Sequence, residues 1–347
     1  MCTPPPANGG TDTLIITHHP TATSAHQSTA SILQAHEINT HIILSHVLSQ
    51  RSQELAASTS QPQPALPPSL WLAVWTTRSQ HRTLDIIVAL TTGPLGPRPL
   101  FIASPHISAT LTWAFLRPRI DLLVSEILGL DNVPMERIFS VFGPKPLVQA
   151  FATVWSRGAG VLPIDDPYTS ATYRICCPSR LVAAPPQAAG GEARLATIQD
   201  LERVSELLRQ FAEPGPYILT PQTAHQEALA FISANCLYVY ESRTHAGAPV
   251  ITSIAVIERT STNVACVTKL YTADEYRANG FGTRLLRYVC QFLLHRQRKA
   301  AVMMYVPDGS GAPDKVTRRV GFRDVDRQNA DRDWLEQGFQ ETNLGHW

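Results

Sequence analysis

Between Val264 and Gly282 the chain reads VACVTKLYTADEYRANGFG: an apolar strand pattern, a glycine-punctuated loop and the start of a helix. That order makes a cradle for an anion. The first-turn N–H groups of a helix have no acceptor within it, and the helix dipole places partial positive charge at the same end. A phosphate ester is stabilised there. Gly280 and Gly282 carry no β-carbon to hold a diphosphate off the backbone, and Arg277 adds a fixed positive charge. The chemistry implied is binding of a phosphorylated cofactor.

Spacing narrows which one. A dinucleotide fingerprint needs a third glycine three positions after the second, and Leu285 stands there. A triphosphate loop ends in Gly-Lys-Ser/Thr, whereas Gly282 is followed by Thr283 and Arg284. The remaining pattern, Arg277-Ala278-Asn279-Gly280-Phe281-Gly282 after a strand ending Leu270-Tyr271-Thr272, resembles the acetyl-CoA signature of the GNAT superfamily of N-acetyltransferases. The resemblance covers roughly the last 150 residues. It implies that Leu270, Tyr271, Thr272, Arg277, Asn279, Gly280, Phe281, Gly282 and Thr283 hold acetyl-CoA. The backbone around Leu270–Thr272 would meet the pantetheine arm and offer an N–H to the thioester carbonyl. Phe281 also reads as a packing anchor, and Arg284 and Arg287 serve equally as solvated helix residues or as further phosphate contacts.

The reaction implied is transfer of an acetyl group to an amine acceptor, which must arrive neutral or lose a proton to a base. Glu258, at the end of the strand before the cofactor strand, is the candidate base; Asp274, Glu275 and His225 are weaker ones, with solvation or loop-fixing as their plain roles. Many relatives carry, on the short last helix, a tyrosine that protonates the departing thiolate. Here that position is Thr317, within Lys315-Val316-Thr317-Arg318-Arg319-Val320-Gly321-Phe322. Threonine is too weak an acid to replace it, although a thiol pKa of about 8.5 makes thiolate a fair leaving group and general acids contribute about 10²- to 10⁴-fold. Relatives also place an asparagine by the pantetheine arm, where Asp308 is the nearest substitute.

Composition fits small-molecule chemistry. A net charge of +1 over 347 residues gives no global field for nucleic acid or a membrane. Six cysteines in irregular positions suit neither a disulfide framework nor a zinc site, so no metal is expected and a reducing compartment is. MCTPPPANGG has no signal-peptide pattern, and no apolar run reaches membrane-spanning length. A cytoplasmic protein is expected, with nothing that bars the nucleus.

The elements that must position the cradle follow from periodicity. Residues 1–68, rich in Thr, Ser, Pro, Gln and His, read as a flexible N-terminal region with one weak helix over Ile32–Leu55 and a Pro-rich linker over Ser58–Pro68. His36, His41 and His46 recur every five residues, which rotates around a helix, so they read as solvated polar residues. Residues 69–180 read as an α/β domain. Its strands are Trp71–Trp75, Leu84–Leu90, Leu100–Ser104 and Arg137–Gly143, and its helices Ile107–Leu130, interrupted at Pro118, and Pro146–Arg157. This order faintly echoes the C-terminal half, with Gly93-Pro94-Leu95-Gly96 where a phosphate loop could lie; its prolines remove donors and argue against binding there. Pro178–Gly191 reads as a boundary.

Residues 192–347 then give a strand, a helix with the stripe Leu201, Val204, Leu207, Leu208, Phe211, and a second helix from Thr220-Pro221. Strands Cys236–Glu241, Val250–Glu258 and Val264–Thr272 form an antiparallel meander, followed by the cradle helix, strand Ala301–Val306, helix Ala312–Arg319 and a last strand from Gly321-Phe322. The expected fold is α/β: a mixed, mostly antiparallel GNAT-like sheet flanked by helices, preceded by a smaller α/β domain. The expected function is that of an acetyl-CoA-dependent acyltransferase acting on a small-molecule or protein amine. The alternative is a catalytically impaired acyl-CoA-binding or interaction module of the same fold.

Overall fold

A computed structural model describes residues 12–59, 69–79, 81–93, 95–183, 191–243, 247–324 and 333–346. Of the linker expected over Ser58–Pro68, residues 60–68 lie outside the described residues, as do 184–190 of the expected boundary segment.

The first half runs β1 (Thr13–His19), α1 (Ala22–Ala35), α2 (Glu37–Thr59), β2 (Leu70–Arg78), β3 (His81–Gly93), β4 (Gly96–Ala103), α3 (Trp113–Leu128), β5 (Ser140–Pro144), α4 (Lys145–Ala159) and β6 (Thr169–Cys176). The second repeats the order: β7 (Gly191–Leu195), α5 (Leu201–Ala212), α6 (Pro221–Ser233), β8 (Leu237–Arg243), β9 (Pro249–Thr260), β10 (Val264–Thr272), α7 (Phe281–Gln291), β11 (Ala301–Pro307), α8 (Gly311–Val320), β12 (Arg323–Asp324) and β13 (Asp333–Gly338). All the strands share one sheet, ordered β1-β2-β3-β4-β5-β13-β6-β11-β10-β9-β8-β7, with β12 on β6. Pairing is antiparallel except β4–β5 and β10–β11. This is a mixed, mostly antiparallel GNAT-like sheet flanked by helices.

Alternation along the strands sends residues to two faces. On one face Leu72, Val74, Ile86 and Leu100 pack under α3 and α4, and Ala265, Val267, Val302 and Met304 under α7. On the other, Trp71, Ala73, Phe101, Cys266 and Met303 pack with α1 and α2, and Val239, Ile254 and Val256 with α5 and α6. The second cluster draws from both halves, so the core has no seam at the expected boundary.

The halves also exchange strands. β6, from the first half, pairs with β11 and β12 of the second. β13, from the second, fits between β5 and β6. Fully buried Glu336 of β13 accepts hydrogen bonds from Ser140 Oγ of β5, at 2.7 Å, and from Tyr217 Oη in the α5–α6 loop.

Residues 13–59 correct the expectation of a flexible region. Thr21 and Ser24 form a capping box at the start of α1. Glu54 of α2 accepts from the N–H groups of Ala22 and Thr23 at 2.7 and 3.0 Å, placing a carboxylate at the positive end of α1. Every residue of α2 from His41 to Val47 is buried. Over that stretch the helix is enclosed on all sides, so it needs no polar face there and shows no apolar stripe in sequence. His41 and His46 are therefore buried rather than solvated, and burial lowers the pKa of both. Gly93 and Gly96 sit at the β3–β4 hairpin, not before a helix. Pro118 lies inside α3, which continues through it.

Candidate active site

The cradle is built where β10 leaves its partners. Its register against β9 shifts between Val267 and Lys269, a bulge at Thr268. Against β11 it pairs only over Val264–Cys266, so the two parallel strands part beside Thr268 and leave a cleft. Past Thr272 a 3₁₀ turn, Asp274–Tyr276, leads into the loop before α7. Ala278 (φ 66°) and Gly280 (φ 75°) are left-handed there, which turns the chain back into the helix.

Gly280 is the N-cap of α7 and supplies no side-chain cap, so the first-turn N–H groups remain for an external anion. A β-carbon on Gly280 would meet nothing within 4 Å, whereas one on Gly282 would lie 2.8 Å from Thr272 Oγ1. Glycine at 282 thus sets how closely α7 approaches β10, and the space in front of Gly280 is open. These features fit a diphosphate. At the matching helix of the first half, α3, the N-cap Thr112 accepts from Phe115 N at 3.4 Å, so its own hydroxyl takes the anion's place. Where β4 and β5 part, Ser104, His106, Tyr173 and Trp334 close the gap to a cavity of about 30 Å³, the share of a single water.

The loop residues named from the sequence meet here in unequal roles. Arg277 is 57 % exposed, pairs with Asp274 at 2.7 Å and donates to Thr272 O at 3.3 Å. Asn279 Nδ2 donates to Tyr276 O and Arg277 O, bracing the loop. Tyr271 Oη donates to Asp274 at 3.0 Å, and burial together with that carboxylate raises its pKa. Thr272 Oγ1 lies 2.8 Å from Ser253 Oγ, and Leu270 packs against the α7 layer. Phe281 stacks on Tyr240 with centroids 5.2 Å apart, and Thr283 is buried. Arg287 is buried and donates to Val182 O and Arg319 O, so it ties α7 to α8 rather than facing a phosphate.

Glu258, the candidate base, and Thr317, at the position of the relatives' tyrosine, are held by different contacts. Glu258 on β9 accepts from Thr268 Oγ1, the bulge residue of β10, at 3.0 Å. Thr317 is 1 % exposed; its hydroxyl is 2.9 Å from Pro313 O and receives Arg174 Nη1 at 3.1 Å. Arg174 also pairs with Asp314 and Asp324. Thr317 is therefore a structural contact between α8 and β6, not a proton donor facing the cleft. Asp308 is likewise engaged, accepting from Ser170 and Thr172 of β6 at 2.6 and 3.1 Å.

The sequence reading missed Glu227 and Lys269. Glu227, 5 % exposed on the inner side of α6, has Oε1 3.4 Å from Lys269 Nζ on β10. Its Oε2 is buried with no hydrogen-bond partner among the described residues. The signal was present: a carboxylate interrupts the stripe Ala224, Ala228, Phe231.

Residues 201–313 match the family model described as acetyltransferase (GNAT) family. Among solved structures, a Drosophila protein aligns over 92 % of this chain and 98 % of its own, with TM-score 0.61 and 11 % identity. A GCN5-related N-acetyltransferase from Sphaerobacter thermophilus aligns over 93 % and 94 %, with TM-score 0.49 and 13 % identity. A tandem GNAT protein from the clavulanic acid biosynthesis pathway aligns over 93 % and 98 %, also with TM-score 0.49 and 13 % identity. No curated protein sequence matches the chain. Residues 201–313, which hold the uncapped α7 set against the bulged and diverging β10, match the GNAT acetyltransferase family.

Proposed function

We propose that this protein is an acyltransferase that moves an acetyl group from acetyl-CoA to an amine acceptor, a small molecule or a protein side chain. The observation that carries the reading is the N-terminus of α7, where Gly280 is a left-handed N-cap without a side-chain cap, at the open end of the β10–β11 cleft. In this reading the first-turn N–H groups of α7 hold the diphosphate and Arg277 adds charge beside it. The β10 backbone from Leu270 to Thr272 lines the pantetheine arm. An N–H near the Thr268 bulge polarises the thioester carbonyl, and acetyl-CoA supplies the activated acyl carbon. Glu258 lies within reach of the cleft mouth as a proton acceptor for the amine. The described cysteines are all free, which suits a reducing compartment such as the cytoplasm. No helix among the described residues is long and apolar enough to cross a membrane.

The position of Thr317 favours a second reading, an acyl-CoA-binding module with little or no turnover, because its hydroxyl is committed to Arg174. Calorimetry with CoA and a thiol-release assay with acetyl-CoA and a panel of amines separate the two. Saturable CoA binding is expected, lost or weakened at least about tenfold by Gly280→Glu, which sets a carboxylate against the diphosphate. Binding with release on at least one amine supports the enzyme, and binding with none supports the module. CoA binding unchanged by Gly280→Glu overturns the cradle itself.

A further inference from the structure

Lys269 follows the bulge of β10 at the point where the cleft opens, and its side chain is 13 % exposed. It crosses the ring faces of Phe211 and Phe231, at 5.8 and 5.7 Å from their centroids, to reach Glu227. Glu227 therefore sits one side chain below the cleft, on the face covered by α5 and α6. A buried ion pair kept only for cohesion is expected to satisfy both carboxylate oxygens, since an unpaired buried acceptor costs about 1–3 kcal/mol. Glu227 leaves Oε2 unpaired. Glu258, on the adjacent strand and hydrogen-bonded to Thr268, is the second carboxylate flanking the bulge.

We propose that Glu227 is the proton acceptor of the transfer, its buried Oε2 taking, through one intervening water, the proton that the acceptor amine sheds as its nitrogen attacks the thioester carbonyl. In that step an N–C bond forms and the C–S bond breaks. The thiolate takes a proton from water, and the hydroxide left behind is neutralised when Glu227 gives its proton up. The inference rests on the acyltransferase reading and replaces Glu258 as the base.

The surroundings suit the role. Burial raises the proton affinity of Glu227, Lys269 lowers it and the charge of Glu258 raises it again, so its pKa lies above the usual carboxylate value and closer to working pH. Of the two carboxylates on either side of the bulge, Glu227 is the one whose burial makes it hold a proton more tightly. Cys236, in the field of the same Lys269 and Glu258, is pushed up to about 12 by burial and stays a neutral thiol.

The test uses the full chain, acetyl-CoA and whichever amine turns over, with kcat/KM of each variant divided by that of wild type across pH, so that ionisation of the amine cancels. Glu227→Gln is expected to keep CoA affinity within about twofold and to lose about 10²- to 10⁴-fold in kcat, removing the acidic limb on which activity rises with pH. Lys269→Met is expected to move that limb to higher pH, and Glu258→Gln to move it to lower pH. These two shifts test the proposal even where Glu227→Gln fails to fold. An unchanged limb in Glu227→Gln, loss of the limb in Glu258→Gln, or shifts in the wrong sense overturn it. A wild type that binds CoA but turns over no amine overturns the acyltransferase reading and this inference together, an outcome distinct from a working enzyme indifferent to Glu227.

Discussion

Thr317 shows how far a side chain's meaning depends on what faces it. Its place in the last-helix motif is where relatives carry an acid that threonine is too weak to replace, and Arg174, itself only 8 % exposed, takes its hydroxyl and two carboxylates. Thr317→Val is expected to lower stability by about 1–2 kcal/mol by leaving a guanidinium N–H without its acceptor, and to leave CoA affinity unchanged. Chemical denaturation paired with calorimetry measures both. A loss of CoA affinity larger than the loss of stability would return Thr317 to the site. At this scale the cradle was legible because its chemistry is local: a few adjacent residues fix both the left-handed turn at Gly280 and the absence of a cap. Glu227 showed in the sequence only as a carboxylate interrupting the stripe of α6; its weight comes from Lys269, which lies on another element and is brought alongside only by folding. Arg287 was open between two readings until Val182 and Arg319 appeared as its acceptors.

Among the elements, α2 departs furthest from expectation. Sequence periodicity reports a helix through the contrast between a dry and a wet side, and α2 has no wet side from His41 to Val47, so its polar residues there read as a solvated segment. Those buried polar residues carry a pH consequence. Desolvation lowers His41 from 6.5 to about 4 and lowers His46 further than its ordinary value in the same sense. The unfolded chain therefore takes these protons first as pH falls. Stability is fully present above about 6.5 and is lost as pH drops towards about 4, by roughly 3 kcal/mol for His41 alone. Urea unfolding at about pH 7.5 and about pH 5 is expected to show the loss, and His41→Leu to reduce it. An equal loss in His41→Leu would place the acid sensitivity elsewhere. By contrast α5, α6 and α7 were readable, since each lies on the sheet with one apolar stripe and an outer polar side. The caps at Thr220 and Gly280 mark two of their starts.

Over the whole molecule, the repeated order of elements gives two similar halves that complete each other. α2 of the first half also reaches the second: Glu37 accepts from Asn263 N and Nδ2 at 3.2 and 2.9 Å and from Ser261 Oγ, clasping the β9–β10 turn. Alternation in a strand tells which residues face the core but not which strand lies alongside, so the exchange of β6 and β13 left no trace in the sequence pattern. Residues 1–183 or 191–347 produced alone are expected to remain unfolded or aggregate, whereas the full chain unfolds in one transition by both tryptophan fluorescence and circular dichroism. A folded, CoA-binding 191–347 fragment would show that the exchange is dispensable.

The same exchange sets an order of events as the chain leaves the ribosome. Helices α1 and α2 and strands β1–β5 emerge before the second half, but the neighbour that closes the far edge of β5 is β13, Asp333–Gly338, which follows all the other strands of that half. Throughout the synthesis of the second half, β5 presents an unpaired edge, with Val141 and Phe142 at its centre, to any other nascent strand. The molecule thus cannot mature by finishing its first half and then its second; the two parts of the one sheet close together, once β13 has been made.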